Sequence, residues 1–161
     1  MNCFLSVDIG GTNIRAALFP EEGNTPLARK KIPTRGKSSP QERMKNLILE
    51  IWPSNANVAA IGISAPGPLD PKTGIIFSAP NIPEWKDLPL KTMFENEFHV
   101  STAVGNDANM AALGEWKFGA GIGYHDLLYL TISTGIGGGV ILQDRLVLGW
   151  KGLAGELGHF T

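Results

Sequence analysis

Apolar residues recur along this chain with two periods, and each change of period marks an element. Near the start, Phe4, Leu5 and Val7 form a short run that stops at Asp8. Gly10 and Gly11 make a turn, and "NIRAALF" then alternates as far as Phe19. Alternation of this kind predicts half-buried strands, so the stretch reads as strand–turn–strand. After the loop "EEGNTP", the segment "LARKKIP" predicts a third strand at an edge. The period then becomes helical. Ser39 is placed to cap, Pro40 sits in the first turn, and Glu42 completes a capping box. Met44, Leu47, Ile48, Ile51 and Trp52 share one face, and Pro53 follows the stripe.

"VAAIGIS" has the apolar density of a central or parallel strand. "APGPLDPKTG" reads as a turn-rich loop and "IIFSAP" as a short strand. "LPLKTMFENEF" predicts a second helix, and "VSTAVGN" a strand running to Asp107. From Ala108 to Phe118 the pattern is helical again, with Asn106 or Asp107 at the cap. "GAGIG" breaks the chain, and a boundary is expected there between units 1–118 and 119–161. "DLLYLTIS" and "GGGVILQ" then predict a hairpin, "DRLVLG" adds a strand, and the tail is loop-like. Strand, glycine-rich turn and strand thus occur twice, at 4–19 and 127–142. Trp85 and Trp116 are expected in the core, and His99 and His125 as ordinary surface or core residues.

Composition narrows the class. The chain has 161 residues, 43% hydrophobic and 18% charged, as in ordinary globular proteins, and can bury a sizeable core. Lys and Arg number 14 and Asp and Glu 15, for a net charge of -1. That balance argues against a nucleic-acid surface or a polybasic membrane anchor. No apolar run approaches the roughly 18 residues of a membrane span. No basic leader precedes "CFLSVDIGG", and Cys3 is the lone cysteine, which excludes an internal disulfide. A cytoplasmic protein without nucleic-acid or membrane partners is the simplest expectation. The 20 glycines cluster at 10–11, 119–123, 135–139 and 149–158. Such clusters serve tight turns or close backbone approach to a ligand.

Three places offer chemistry. In the first turn, glycines let N–H groups approach an anion, Thr12 adds a hydroxyl, and Asp8 can hold Mg2+ through water. In the second, Ser133 and Thr134 offer hydroxyls, while Gly135, Gly137, Gly138 and Gly139 clear side chains away. Each turn is open to a plainer reading as a hairpin. Asp107, at a strand-to-helix junction, is either a carboxylate serving an attacking hydroxyl or only an N-cap. The helix N-terminus is expected to favour its charged form. Glu156 and His159, in "GELGH", can hydrogen-bond sugar hydroxyls or lie in an exposed loop.

Six blocks resemble the ROK family of sugar kinases and repressors: "DIGGTNIRAAL" (8–18), "GISAPGPLD" (62–70), "NIPEW" (81–85), "GNDANMAALGEW" (105–116), "STGIGGGVI" (133–141) and "GELGHF" (155–160). The resemblance implies an α/β protein with the actin-like ATPase (ribonuclease H-like) fold, its first lobe complete and its second begun. It implies ATP-dependent phosphorylation of a hexose or N-acetylhexosamine, at O6 for a hexose, with Asp107 as catalytic base. Gly67, Asn81, Asn106, Glu156 and His159 match sugar-binding positions. Asp8, Gly10, Gly11, Thr12, Asn13, Ser133, Thr134, Gly135, Gly137 and Gly138 match the phosphate-holding turns, with Mg2+ bound through water at Asp8. His159 matches the first ligand of a structural zinc, but the cysteine cluster that follows it in the family is absent here. No zinc is therefore expected in this chain. The missing remainder of the second lobe also predicts that the chain alone is inactive, because two lobes must close around the substrates. Self-association through exposed strands or a family-type dimer is expected, or else disorder after about residue 120. The other reading is a sugar-sensing repressor. Met1 lies too near the first strand for a DNA-binding unit to precede it, and the kept phosphate motif favours the kinase.

Overall fold

The computed structural model describes residues 1–132, 136–156 and 158, with Lys151 described in its backbone only. Its frame begins with the predicted hairpin. Strand β1 (Asn2–Ile9) pairs antiparallel with β2 (Asn13–Pro20), and β2 carries β3 (Ala28–Pro33) on its outer edge. Alternation in β1 buries Cys3, Leu5, Val7 and Ile9 on one face and turns Phe4, Ser6 and Asp8 to the other. Helix α1 (Pro40–Glu50) starts where the Glu42 N–H donates to Ser39 Oγ at 3.3 Å. It buries Met44, Leu47 and Ile48 against the apolar face.

The crossover through α1 returns β4 (Asn57–Ala65) parallel to β1, and β8 (Ser101–Asn106) runs parallel to β4. The sheet order is β3-β2-β1-β4-β8. Three parallel strands therefore end at one edge, at Ile9, Ala65 and Asn106.

Between β4 and β8 the structure departs from expectation. The stretch read as loop contains β5 (Leu69–Asp70), which pairs with β6 (Ile75–Ser78); β7 (Lys86–Pro89) completes a small antiparallel sheet. Strands this short leave no periodic signal. Helix α2 (Leu90–Phe98) starts later than expected because Leu88 and Pro89 belong to β7. Trp85 is buried in the core, as expected, and its Nε1 donates to Gln41 Oε1 at 3.0 Å.

Helix α3 (Asp107–Phe118) follows β8 directly, and β9 (Leu127–Ile132), β10 (Ile136–Leu142) and β11 (Arg145–Leu146) form a separate sheet in the order β11-β10-β9. Trp116 is not in the core. It lies half-buried near the end of α3, donating to the Tyr124 carbonyl at 2.8 Å. The glycines of β10 let it lie flush on α3. A Cβ at Gly139 would stand 2.5 Å from Ala112 Cβ and 3.2 Å from the Ala108 carbonyl oxygen. Among the described residues, no helix is long and apolar enough to cross a membrane.

Candidate active site

Open α/β sheets bind ligands beyond the carboxyl ends of their parallel strands. Here that edge presents Asp8 on β1. Its Oδ2 accepts from Arg15 Nη1 at 2.8 Å and its Oδ1 from Ser64 Oγ at 3.2 Å. The turn that follows is braced within and from behind. The Gly10 N–H donates to the Asn13 carbonyl at 2.9 Å. Thr34, fully buried, donates its N–H to the Thr12 carbonyl at 2.9 Å and its Oγ1 to the Gly10 carbonyl at 2.6 Å. Gly11 presses on Asn81, whose Cβ would be 2.7 Å from a Cβ at position 11. Asn81 and the turn from Gly10 to Asn13 are thus neighbours. Beside them lies a cleft of about 600 Å³ whose lining includes Thr34, Arg35, Ser38 and Glu84.

The other carboxylate comes from the β8–α3 junction. Asn106 is the cap of α3: its Oδ1 accepts from the N–H groups of Ala108 at 3.0 Å and Asn109 at 3.3 Å. Its Nδ2 donates to the Gly67 carbonyl at 3.3 Å. Asp107 is the first helical residue, and its Oδ1 accepts from the Ala108 N–H at 2.9 Å. Its carboxyl is held above the ordinary aspartate value. The main cause is partial loss of water around a side chain that still reaches solvent, which outweighs the Ala108 bond; the negative charge of Asp8 pushes the same way. This reverses the expected effect of the helix N-terminus. Asp107 shares the first N–H groups of α3 with Asn106, and the bonds it accepts from Ala108 and its own N–H lower its pKa by less than the loss of water raises it. The result suits a base better, because a proton acceptor works best near the operating pH.

Most of the expected residues converge. Asp8, Gly10, Gly11, Thr12, Asn13 and Asn81 form one wall of the edge, and Gly67, Asn106 and Asp107 form another. Gly137 abuts Ala108, with a Cβ there 3.4 Å from the Ala108 Cβ. Gly138 is drawn toward α3 by Gly155, which leaves no room for a Cβ between the Gly138 carbonyl and Asn109 Oδ1. Glu156 donates its N–H to the Leu153 carbonyl at 3.1 Å, next to that contact. Ser133, Thr134, Gly135 and His159 lie outside the described residues.

Sequence reading missed four contributors: Arg15, Thr34, Ser64 and Asn109. Arg15 and Ser64 could have been found from register, since both fall opposite Asp8. Thr34 carried no local signal. Asn109 is 3% exposed, and its Oδ1 has no hydrogen-bond partner among the described residues. It borders a cavity of about 110 Å³ behind Asn106.

Among the described residues no three His, Cys, Asp or Glu side chains gather to hold a metal. Two carboxylates at one sheet edge, Asp8 near enough to Asp107 for its charge to be felt, are a sparse set that suits Mg2+, which keeps several waters and takes its other ligands from phosphate. Because Arg15 and Ser64 already engage both oxygens of Asp8, the geometry fits a hold through water.

Comparison with known proteins gives concordant matches. The ROK family model matches residues 4–161. A glucokinase of Streptomyces coelicolor is 37% identical over 161 residues, covering 99% of this chain and 50% of that protein. The crystal structure of a ROK family glucokinase from Streptomyces griseus in complex with glucose and AMPPNP superposes with a TM-score of 0.86 at 38% identity. It covers 98% of this chain and 50% of that one. A xylose repressor of Bacillus spizizenii is 35% identical over 154 residues, covering 96% of this chain and 38% of the repressor. The chain spans about half the length of the glucokinases it matches.

Proposed function

Because this chain belongs to the ROK family, and with it to the actin-like ATPase fold, we propose that it supplies the sugar- and phosphate-facing half of an ATP-dependent hexose kinase. The observation that carries the reading is the pairing of Asp107 with Asp8 across one sheet edge, with the carboxyl of Asp107 held above its ordinary value. In this reading Asp107 takes the proton from a sugar hydroxyl, O6 in a hexose, as that oxygen attacks phosphorus. Asn81, Asn106, Gly67 and Glu156 shape the sugar side, with His159. The turn from Gly10 to Asn13 holds phosphate, a role shared with the second turn at 133–138. Mg2+, held through water by Asp8, would neutralise charge on the phosphoryl oxygens. Residues 119–161 begin the second lobe, and the chain alone turns over little because lobe closure needs the rest. The setting is cytoplasmic. Exposed strands of the second sheet favour self-association.

The second reading is a sugar sensor, favoured by the match to a xylose repressor. The intact "DIGGTN" turn and the Asp8–Asp107 pair weigh for the kinase, since a sensor needs no base.

Isothermal titration with glucose, fructose and N-acetylmannosamine tests the pocket, with Asp107→Ala alongside. Heat from one sugar that the substitution abolishes or alters supports the reading. A folded chain that takes up none of them refutes a sugar pocket formed by these residues. Sugar-stimulated release of ADP from Mg·ATP, lost in Asp107→Asn, separates kinase from sensor.

A further inference from the structure

Strand register sets five residues in one lateral row across the sheet. Gly105 stands beside Ser64, Ser64 beside Asp8, Asp8 beside Arg15, and Arg15 beside Lys31. All five line one groove of about 880 Å³ on the face away from the core. Side chains on adjacent strands at matched positions share a face, so this row is fixed by the pairing itself.

The row places the charges in order. Asp8 Oδ1 takes the Ser64 hydroxyl at 3.2 Å and Asp8 Oδ2 takes the Arg15 guanidinium at 2.8 Å. Lys31, on the other side of Arg15, is a like charge, which urges the guanidinium toward the carboxylate. Both members of the ion pair are well exposed, at 59% and 45% of their side chains. Exposed pairs add little stability. The position of this one matters more, because it occupies the carboxylate nearest the phosphate-type turn.

We propose that Arg15 is a positioning residue, the resident counter-ion of Asp8, and that a hydrated divalent cation reaching Asp8 through its waters competes with the guanidinium for the carboxylate's charge. This rests on the reading of Asp8 as the cation-side carboxylate. Without nucleotide, the guanidinium holds the carboxylate in place and keeps bare cations weakly bound. When phosphates bring the metal, their own oxygens can accept the freed guanidinium. Arg15 thereby ties cation binding to nucleotide binding.

The test uses Mn2+ alone, with the free ion counted by electron paramagnetic resonance at low salt. The chains compared are the unsubstituted chain, Arg15→Ala, Arg15→Gln, Arg15→Lys and Asp8→Asn, each checked for folding by circular dichroism. Removing one positive charge within a few ångströms of a dication should tighten Mn2+ binding about threefold to tenfold. Arg15→Ala and Arg15→Gln should both show this, Arg15→Lys should restore most of the weak binding, and 0.5 M salt should shrink the differences. Equal or weaker binding in both neutral variants, or no Mn2+ binding by any chain, overturns the role of Arg15. If the neutral variants tighten binding but Asp8→Asn added to them leaves the gain intact, the reading of Asp8 itself fails.

Discussion

Gly67 offers the sharpest test of how the site is built. It has φ +87°, a conformation that residues with a Cβ adopt at a cost of about 1–3 kcal/mol. A Cβ there would also stand 2.2 Å from the Ser78 carbonyl oxygen and 3.2 Å from Ala79 Cα. Both obstacles are backbone, so no side chain can swing aside, and overpacking of this kind costs about 1–3 kcal/mol. Gly67→Ala should therefore destabilise the chain by about 2–6 kcal/mol. At roughly 2–4 °C per kcal/mol for a chain of this size, Tm falls by about 4–24 °C. Gly62 is the matched control. It lies within β4, and a Cβ there meets nothing within 4 Å. Alanine in a strand interior is better than glycine by about 0.5–1 kcal/mol, so Gly62→Ala should hold or raise Tm. Differential scanning calorimetry on the three chains decides the matter. Equal Tm values for the two variants would refute the reasoning. A drop in Gly67→Ala should also loosen Asn106, whose Nδ2 is held by the Gly67 carbonyl.

Two further substitutions probe the two walls of the edge. Thr34→Val removes the hydroxyl that satisfies the Gly10 carbonyl and should cost about 1–2 kcal/mol in urea denaturation, with faster amide exchange at Gly10; unchanged exchange there would deny Thr34 its bracing role. Asp107→Asn should stabilise the fold at neutral pH. The folded carboxyl is held above 3.8, so folding disfavours its charged form, and the penalty fades as pH falls through the raised value toward 3.8. The gain in Tm should shrink over that window, and a gain that grows as pH falls would contradict the assigned cause.

The frame was legible because its signals are periodic. The alternation of 4–7 and 14–19, the stripe Met44–Leu47–Ile48 behind a Ser39 cap, and the dense run at 58–64 each predict the element that forms. Strands β5 and β7 were not legible, because two and four residues are too few for a period and their pairing with β6 is tertiary. The quoted motifs led to Asp8, Asp107, Asn106 and Asn81, but not to what holds them. Thr34 is distant in sequence from the turn it braces, and Ser64 reaches Asp8 only through parallel pairing. The environment of Asp107 was misjudged for a related reason. A helix N-terminus is a local feature, whereas loss of water and the charge of Asp8 arise from elements that come together only in the fold. The glycines of β10 show the converse error of emphasis: a ligand was the reason sought for them, yet at Gly139 the nearest constraint is the methyl of Ala112.

The two hairpins, compared position by position, lead to a last prediction. In the first, Ile9 pairs with Ile14 just before the turn closes; in the second, Ile132 pairs with Ile136. Ile9 and Ile14 are 0% exposed, whereas Ile132 is 80% and Ile136 54% exposed. Leu128 and Leu130 continue the same exposed stripe along β9, where Leu5 and Val7 of β1 are buried. The second hairpin thus carries a core face without its cover, and "LLYLTI" has no charge or proline to blunt its edge. Such strands pair with others. The chain should therefore self-associate in a concentration-dependent way, and sedimentation velocity should show species heavier than the 17.3 kDa monomer. Leu130→Lys puts a charge at the centre of the stripe at a side chain that is 53% exposed, so it should restore the monomer and shift stability by no more than about 0.5 kcal/mol. A chain that stays monomeric at high concentration, or a Leu130→Lys variant that associates as strongly as its parent, would show that this face is not the one that meets a partner.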